Sequence, residues 1–510
     1  MMNNAEIMPM GYSAEKPEKA VFSRREMILS FAAVGLGYGF IKCFAAPFII
    51  NGRMGLGAAA LLIFTVIFGF CFKKGQKITP LKALRIVLCI LFAANIFISA
   101  NFLIQTLCFI FSAMIMVYDS IADTDGRFEK IRRLFPADMF TAVFRPFDEI
   151  GSCPAAIKSA AEKGSAGKTV ANALLGLAIA LPSTIVVGIL LMSADSGFAD
   201  IVSSIADGGL RSVIIFAVQV IIGLPVGFYL FSMYRTHKNE KVHSDDELKN
   251  MTSAFRFVPA SAAAFSAVPL CVMYVIFFFS QASYFLSAFV SKLPADTESY
   301  SAYARQGFFQ LCIVSVIDLA VIIGINLFSK VNEDGKKTGF LKAMTVTLCV
   351  FTVLLIITAI SKMGMYISVY GLTRLRFYTS WFMLLLGVLF IGIIISVALE
   401  RFNLSKFAVT AFTVMFAALS FSNADRLIAE YNIGRYLDGS LSSVDITMFS
   451  ELSADAIPAA EKLYGHISSE EENVLEDIVQ RKINEANNAD MRSITLSEIM
   501  AESSEGADQR

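Results

Sequence analysis

Charge is scarce in this chain, and histidine, proline and tryptophan are scarcer still. Of 510 residues, 17% are charged, 13 are Pro, 3 are His and one is Trp (Trp381). So little charge excludes an ordinary soluble globular protein and a disordered chain. With three histidines and no HExxH, zinc hydrolysis is not expected. The eight cysteines form no CxxC pair, and seven sit inside apolar runs, Cys153 alone lying in a basic loop. That pattern argues against a disulfide scaffold or a Cys-based zinc site and treats the thiols as small apolar side chains. No metal and no cofactor are expected. No cleavable leader is expected either: the first 26 residues are polar and charged, and the apolar run behind them is too long for a signal core.

Apolar residues are abundant. They make up 56% of the chain, including 45 Phe and 21 Met, and the mean hydropathy is +0.63. The composition predicts an all-α, polytopic transmembrane helix bundle. A helix needs about 20 apolar residues to cross a ~30 Å hydrocarbon core. About eleven stretches qualify: 27–48, 54–72, 86–99, 102–118, 170–193, 212–232, 267–290, 308–328, 343–361, 378–399 and 407–422. The third and fourth, parted only by Ala100-Asn101, can also be read as one bent element.

With the N-terminus inside, the inner segments carry 28 Lys and Arg and the outer ones 7. Under the positive-inside rule this predicts a cytoplasmic N-terminal segment (1–26), a membrane domain (27–422) and an extracytoplasmic tail (423–510). The tail holds 18 acidic and 7 basic residues, a net of −11, and so reads as a separate water-facing module. The basic residues are spread over many loops, which does not suit nucleic acid. Membrane lipid is the expected surroundings.

Several motifs compete with plainer readings. Gly164 to Thr169 ends like a P-loop, but Glu162 stands where its first Gly should be. Gly35 and Gly39 are spaced for close helix packing. His237 and His243 lie among acidic residues of a charged loop. Basic and aromatic residues interleave from Arg127 to Phe147, as in an interfacial helix or an ordinary solvated loop. Asp318, midway along the eighth span, is a functional candidate because intramembrane charge is costly. Lys42, Gln219, Gln281 and Asn326 are its candidate partners, although Lys42 is also placed to snorkel. Pro182 and Pro225 interrupt spans five and six, as in some transport sites. In the tail, Ser469 and Glu472 have capping-box spacing, Val474, Leu475 and Ile478 form an apolar face, and residues after Asn487 are expected to fray.

Six ordered segments carry a resemblance. They are Ser193-Ala194-Asp195 with Phe198; Tyr303 to Phe309 around Arg305; Gly371 to Arg376; Ser422 to Asp425; Tyr431-Asn432-Ile433 with Arg435-Tyr436; and Leu452 to Ala456 with Pro458. Together they resemble a bacterial polytopic membrane family catalogued as domain of unknown function 4173. The resemblance implies an integral membrane protein and no established activity.

All six segments fall on the predicted outer side. Arg305, Arg374 and Arg376 can therefore pair with Asp195, Asp425 or Asp455 and dock the tail. Alternatively, with Asn423, Asn432 and Arg435, they form a polar pocket for a lipid or polymer headgroup or an envelope protein partner. The favoured reading is a non-enzymatic envelope protein, a sensor or assembly factor. A secondary transporter using Asp318 and the Pro-interrupted spans is the alternative. Third comes an intramembrane transferase using two of Asp195, Asp425 and Asp455 as an acid–base pair.

Overall fold

The computed structural model describes residues 21–73, 78–122, 131–162, 190–205, 211–239, 255–280, 300–331 and 337–501, with scattered positions between 176 and 188. The chain is all-helical in architecture and is a multi-pass membrane protein. Nine helices among the described residues are long and apolar enough to span a membrane, and Leu56–Phe72 is a shorter apolar helix. Ten expected spans thus land on helices. The remaining one, 170–193, lies largely outside the described residues, as do the Gly164–Thr169 motif, His243 and the side chain of His237.

In chain order the membrane helices begin with α1 (Arg24–Phe40), which passes through a π turn (Ile41–Ala45) into α2 (Ala46–Asn51). Then come α3 (Leu56–Phe72), α4 (Pro80–Ile98) and α5 (Phe102–Ala122). A connecting arm holds α6 (Phe135–Phe144) and α7 (Ser152–Glu162). After it follow α8 (Ser196–Ile205), α9 (Arg211–Asn239), α10 (Ala260–Phe265), α11 (Val268–Ser280) and α12 (Tyr300–Phe328). The last spans are α13 (Gly339–Tyr370), α14 (Arg374–Ala398) and α15 (Leu404–Phe421). Ser23, Thr79, Thr338, Thr373 and Asn403 cap α1, α4, α13, α14 and α15, each satisfying one of the amides a helix start leaves unpaired. The π turn ends just before Pro47, whose ring nitrogen cannot donate to the preceding turn.

One alternative is settled and two expectations change here. First, α4 and α5 are separate helices folded into a hairpin. Gln105 locks its turn, donating from Nε2 to the carbonyls of Ile96 (3.0 Å), Ser99 (2.8 Å) and Met54 (2.8 Å). Second, Gly35 and Gly39 are not the close-packing pair. A Cβ on Gly35 meets nothing within 4 Å, whereas one on Gly37 would strike the backbone of Gly223, and one on Gly227 that of Ala33. The tight contact is therefore α1 on α9, through Gly37 and the Gly223–Gly227 pair. Third, Pro225 does not break its span: α9 runs unbroken for 29 residues around it.

The remaining chain forms a cap: α16 (Ala424–Leu437), α17 (Met448–Glu451), α18 (Ile457–Ala460) and α19 (Ser469–Asn487), with a further turn of helix at 496–501. It has its own apolar core, including Ile428, Phe449, Leu463, Leu475 and Ile483, closed underneath by Leu372. The capping box of α19 is Ser468 with Glu471, one residue before the expected pair. Leu475 and Ile478 are buried as an apolar face requires, but Val474 is exposed. Residues 488–501, expected to fray, form a strap, and the residues beyond them lie outside the described ones. The strap carbonyls at Ile494 and Arg492 accept from the Leu56 (3.1 Å) and Gly57 (2.7 Å) amides, two unpaired donors at the start of α3.

Candidate functional site at the junction of cap and membrane domain

Two carboxylates on the cap point down into the ends of the membrane helices. Asp425, in the first turn of α16, is fully buried. Its Oδ1 accepts from Arg374 Nε at 2.7 Å, and Oδ2 accepts from Arg374 Nη2, from Asn101 Nδ2 at 2.9 Å and from the Ser453 amide at 2.9 Å. Burial alone would raise this carboxyl. The paired guanidinium and the Ser453 donors outweigh it and hold Asp425 below the usual carboxylate value. Arg374 reaches it because Thr373 caps α14 and so places Arg374 in the first turn, facing the cap.

Asp455 plays the matching part for the α4–α5 turn. Its Oδ2 accepts from Ser99 Oγ (3.0 Å), the Ala100 amide (3.0 Å) and Ser453 Oγ (2.8 Å), and Oδ1 from Ser497 Oγ in the strap and Asn423 Nδ2 (3.4 Å). Asn423 takes a left-handed backbone conformation (φ 48°), which Asn tolerates better than most residues. Asn432 completes the joint by mimicking a peptide. Its Oδ1 accepts from the Leu372 amide and its Nδ2 donates to the Leu372 carbonyl, both at 2.7 Å.

Arg376 and Arg435 serve the C-terminal end of α13, where carbonyls lack helical partners. Arg376 Nη1 donates to Tyr370 O (3.0 Å) and Gly371 O (2.5 Å), its guanidinium 4.1 Å from the Tyr366 ring centre. Arg435 Nη1 donates to Ser368 O at 2.7 Å. Asp195 sits elsewhere: it is exposed and caps α8, accepting from the Phe198 amide at 2.6 Å. Arg305 falls within α12, but its side chain lies outside the described residues.

Beside these carboxylates, between cap and membrane domain, is a cavity of 220 Å³ lined by Arg53, Arg374, Glu451, Lys482, Glu485 and Glu498 among others. Arg53 bonds Glu485 (2.7 Å) and Glu498 (3.2 Å). Lys482 Nζ donates to the carbonyls of Leu452 (2.5 Å) and Ser450 (3.3 Å), and burial lowers its ammonium pKa. The cavity adjoins an open depression that shares Arg53 and Glu485 with it. Among the described residues no cluster of three or more His, Cys, Asp or Glu side chains could hold a metal.

The family model described as Domain of unknown function (DUF4153) matches residues 86–463, about three quarters of the chain. The chain belongs to the DUF4153 family. The family is numbered differently from the 4173 that the six segments resemble, and it too has no assigned function. No curated protein and no solved structure matches the chain. In this DUF4153 protein the matched stretch holds Ser99, Asn101, Arg374, Asp425 and Asp455, whereas Arg53, Lys482 and the strap lie outside it.

Sequence reading missed Ser99, Asn101, Arg53, Ser497 and Glu498. A signal existed for Asn101, a helix-capping residue type immediately before an apolar run. The strap residues carry none, because their partners in the membrane domain lie about 400 positions away: Ser497 Oγ donates to Ile98 O at 2.8 Å.

Of the two intramembrane polar residues, Asp318 lies apart from this junction and Lys42 at its edge. Asp318 is fully buried, accepting from Tyr274 OH at 2.5 Å and Thr352 Oγ1 at 2.7 Å in place of Lys42, Gln219 and Asn326; Gln281 lies outside the described residues. Lys42 lies in the π turn, where its carbonyl accepts from Arg492 of the strap at 3.3 Å.

Proposed function

We propose that this DUF4153 protein is a non-enzymatic envelope protein, with its cap on the extracytoplasmic side, that binds a charged headgroup in the cavity beneath the cap. The observation that carries this reading is the 220 Å³ cavity with Lys482 on its wall, half-buried and bonded only to carbonyls among the described residues. An ammonium taken out of water in this way is ready to accept an anionic partner, whose binding would offset its desolvation. Arg374 supports the same wall but is already committed to Asp425. Binding here would change how tightly the cap is held, which suits a sensor or an assembly factor.

The test is binding of phosphatidylglycerol by purified protein in nanodiscs, read by native mass spectrometry, for wild type and Lys482→Gln. The reading requires retained lipid on the wild type and at least about a tenfold loss in the variant, as for one charge-assisted contact. Equal retention by both proteins would refute it. Protease added to whole cells should cut the cap, and cutting only in inverted vesicles would overturn the orientation.

Proton-coupled transport is a second reading, favoured by one observation: a buried Asp318 carboxyl held by two hydroxyls and by no basic group among the described residues. It requires proton flux in proteoliposomes that Asp318→Asn abolishes.

A further inference from the structure

The connecting arm lies at the far end of the bundle from the cap. It leaves α5 at Ala122, whereas the cap meets α5 at Asn101. It also touches the α14–α15 turn, where Arg133 donates to Glu400 O at 2.5 Å, Ser405 Oγ to Arg133 O at 2.8 Å and Asn403 Nδ2 to Ile131 O at 2.9 Å. One side of α6 is buried through Asp138, Met139 and Ala142. The other carries Phe140, Phe144 and, from the 3₁₀ turn Arg145–Glu149, Phe147, which are 65%, 53% and 52% exposed. The spacings of four and three residues put the rings on one face. Their centres are 4.5 and 6.4 Å apart, and Phe147 continues the row onto Tyr229 of α9 at 5.1 Å.

The depth of this row is set by α9. Tyr229 OH donates to Val143 O at 3.1 Å, Ser232 Oγ to Pro146 O at 2.5 Å, and Arg235 pairs with Glu149 at 3.0 Å. The apolar span of α9 extends to Thr236. At 1.5 Å per residue, Tyr229 lies about 10 Å short of that end and Ser232 about 6 Å short. The phenylalanines are therefore level with the last two turns of an apolar span, not beyond it. A solvated loop at that level would hold three neighbouring rings against water. An interfacial helix buries its apolar face about 5–10 Å into the boundary between headgroups and acyl chains, the same depth. Arg133 and Arg145 flank the row, where headgroup phosphates would lie.

We infer that residues 135–149 form an interfacial arm whose Phe140, Phe144 and Phe147 row is immersed in the bilayer leaflet on the side opposite the cap. The occupant of this face is lipid, because the row runs on to Tyr229 within the apolar span of α9. The inference is independent of the headgroup reading above.

The single native tryptophan makes the test direct. Phe144→Trp is placed in a Trp381→Phe background and reconstituted in phosphatidylcholine and phosphatidylglycerol vesicles with acyl chains brominated near the headgroup. Its fluorescence should fall by about half or more, with little quenching by aqueous acrylamide. Tyr464→Trp in the cap should behave oppositely. If the background variant fails to fold, the signal is read as the increment of Phe144→Trp over wild-type protein. Strong acrylamide quenching without bromolipid quenching would overturn the inference. So would protection from both quenchers, the mark of a protein partner covering the row.

Discussion

Replacing Arg374 by Leu should loosen the cap. Asp425 is fully buried and takes two of its four donors from Arg374; the Asn101 amide and the Ser453 N–H remain after the change. Breaking a buried ion pair from one side typically costs about 3–5 kcal/mol, because the orphaned charge stays in low dielectric. The Arg374 side chain is 33% exposed, so part of its attraction is already screened, which points to the lower end, about 3 kcal/mol. That corresponds to roughly a hundredfold increase in cap opening.

Hydrogen exchange of the α16 amides in nanodiscs measures this opening directly. The pH dependence should also change sign. In the wild type Asp425 is held below its unfolded value. Its contribution is complete above the ordinary carboxylate range and is lost as pH falls through the native value. In the variant, burial without the guanidinium raises the carboxyl, so acidification should restore protection. Asp425→Asn in the same background should recover part of the loss, since no charge is then stranded. Exchange within twofold of wild type at neutral pH, or further loss of protection in acid, would refute the reasoning.

Gly371→Ala should destabilise the cap joint by about 1–3 kcal/mol, read by the same exchange experiment. Gly371 has φ +74°, and an added Cβ would stand 2.5 Å from Asn432 Oδ1. Gly37→Val should separate α1 from α9 and lower folded yield sharply in a detergent melt, whereas Gly35→Val, with open space around it, should leave both nearly unchanged. Truncation after Asn487 should deprotect the first turn of α3, whose Leu56 and Gly57 amides lose their strap carbonyls. Asp318→Leu should cost more thermal stability than Asp318→Asn, which can still bond the Tyr274 and Thr352 hydroxyls; equal losses would contradict the polar cluster.

Helix starts were read from the apolar runs, at 378 and 407, about a turn after the caps Thr373 and Asn403 that set them. They were ambiguous where two caps fitted: Ser468 with Glu471 and Ser469 with Glu472 have the same spacing, and the path entering α19 selects the first. The glycine contact went to Gly37, Gly223 and Gly227 instead of Gly35 and Gly39 because spacing marks a smooth face but not which helix will lie on it.

The amino-acid sequence by itself determined that the chain is a bundle of membrane helices, because hydrocarbon leaves an apolar run of about 20 residues no other way to satisfy its backbone. That is a local property, readable run by run. Tertiary structure alone decided that Asp425 meets Arg374 and Asn101, that Asp455 meets Ser99 and Ser497, and that the end of the chain seals the start of α3. The side-chain partners among them lie between 42 and 356 residues apart along the chain. Any of several polar side chains would have served equally well until packing of the helices chose which ends met.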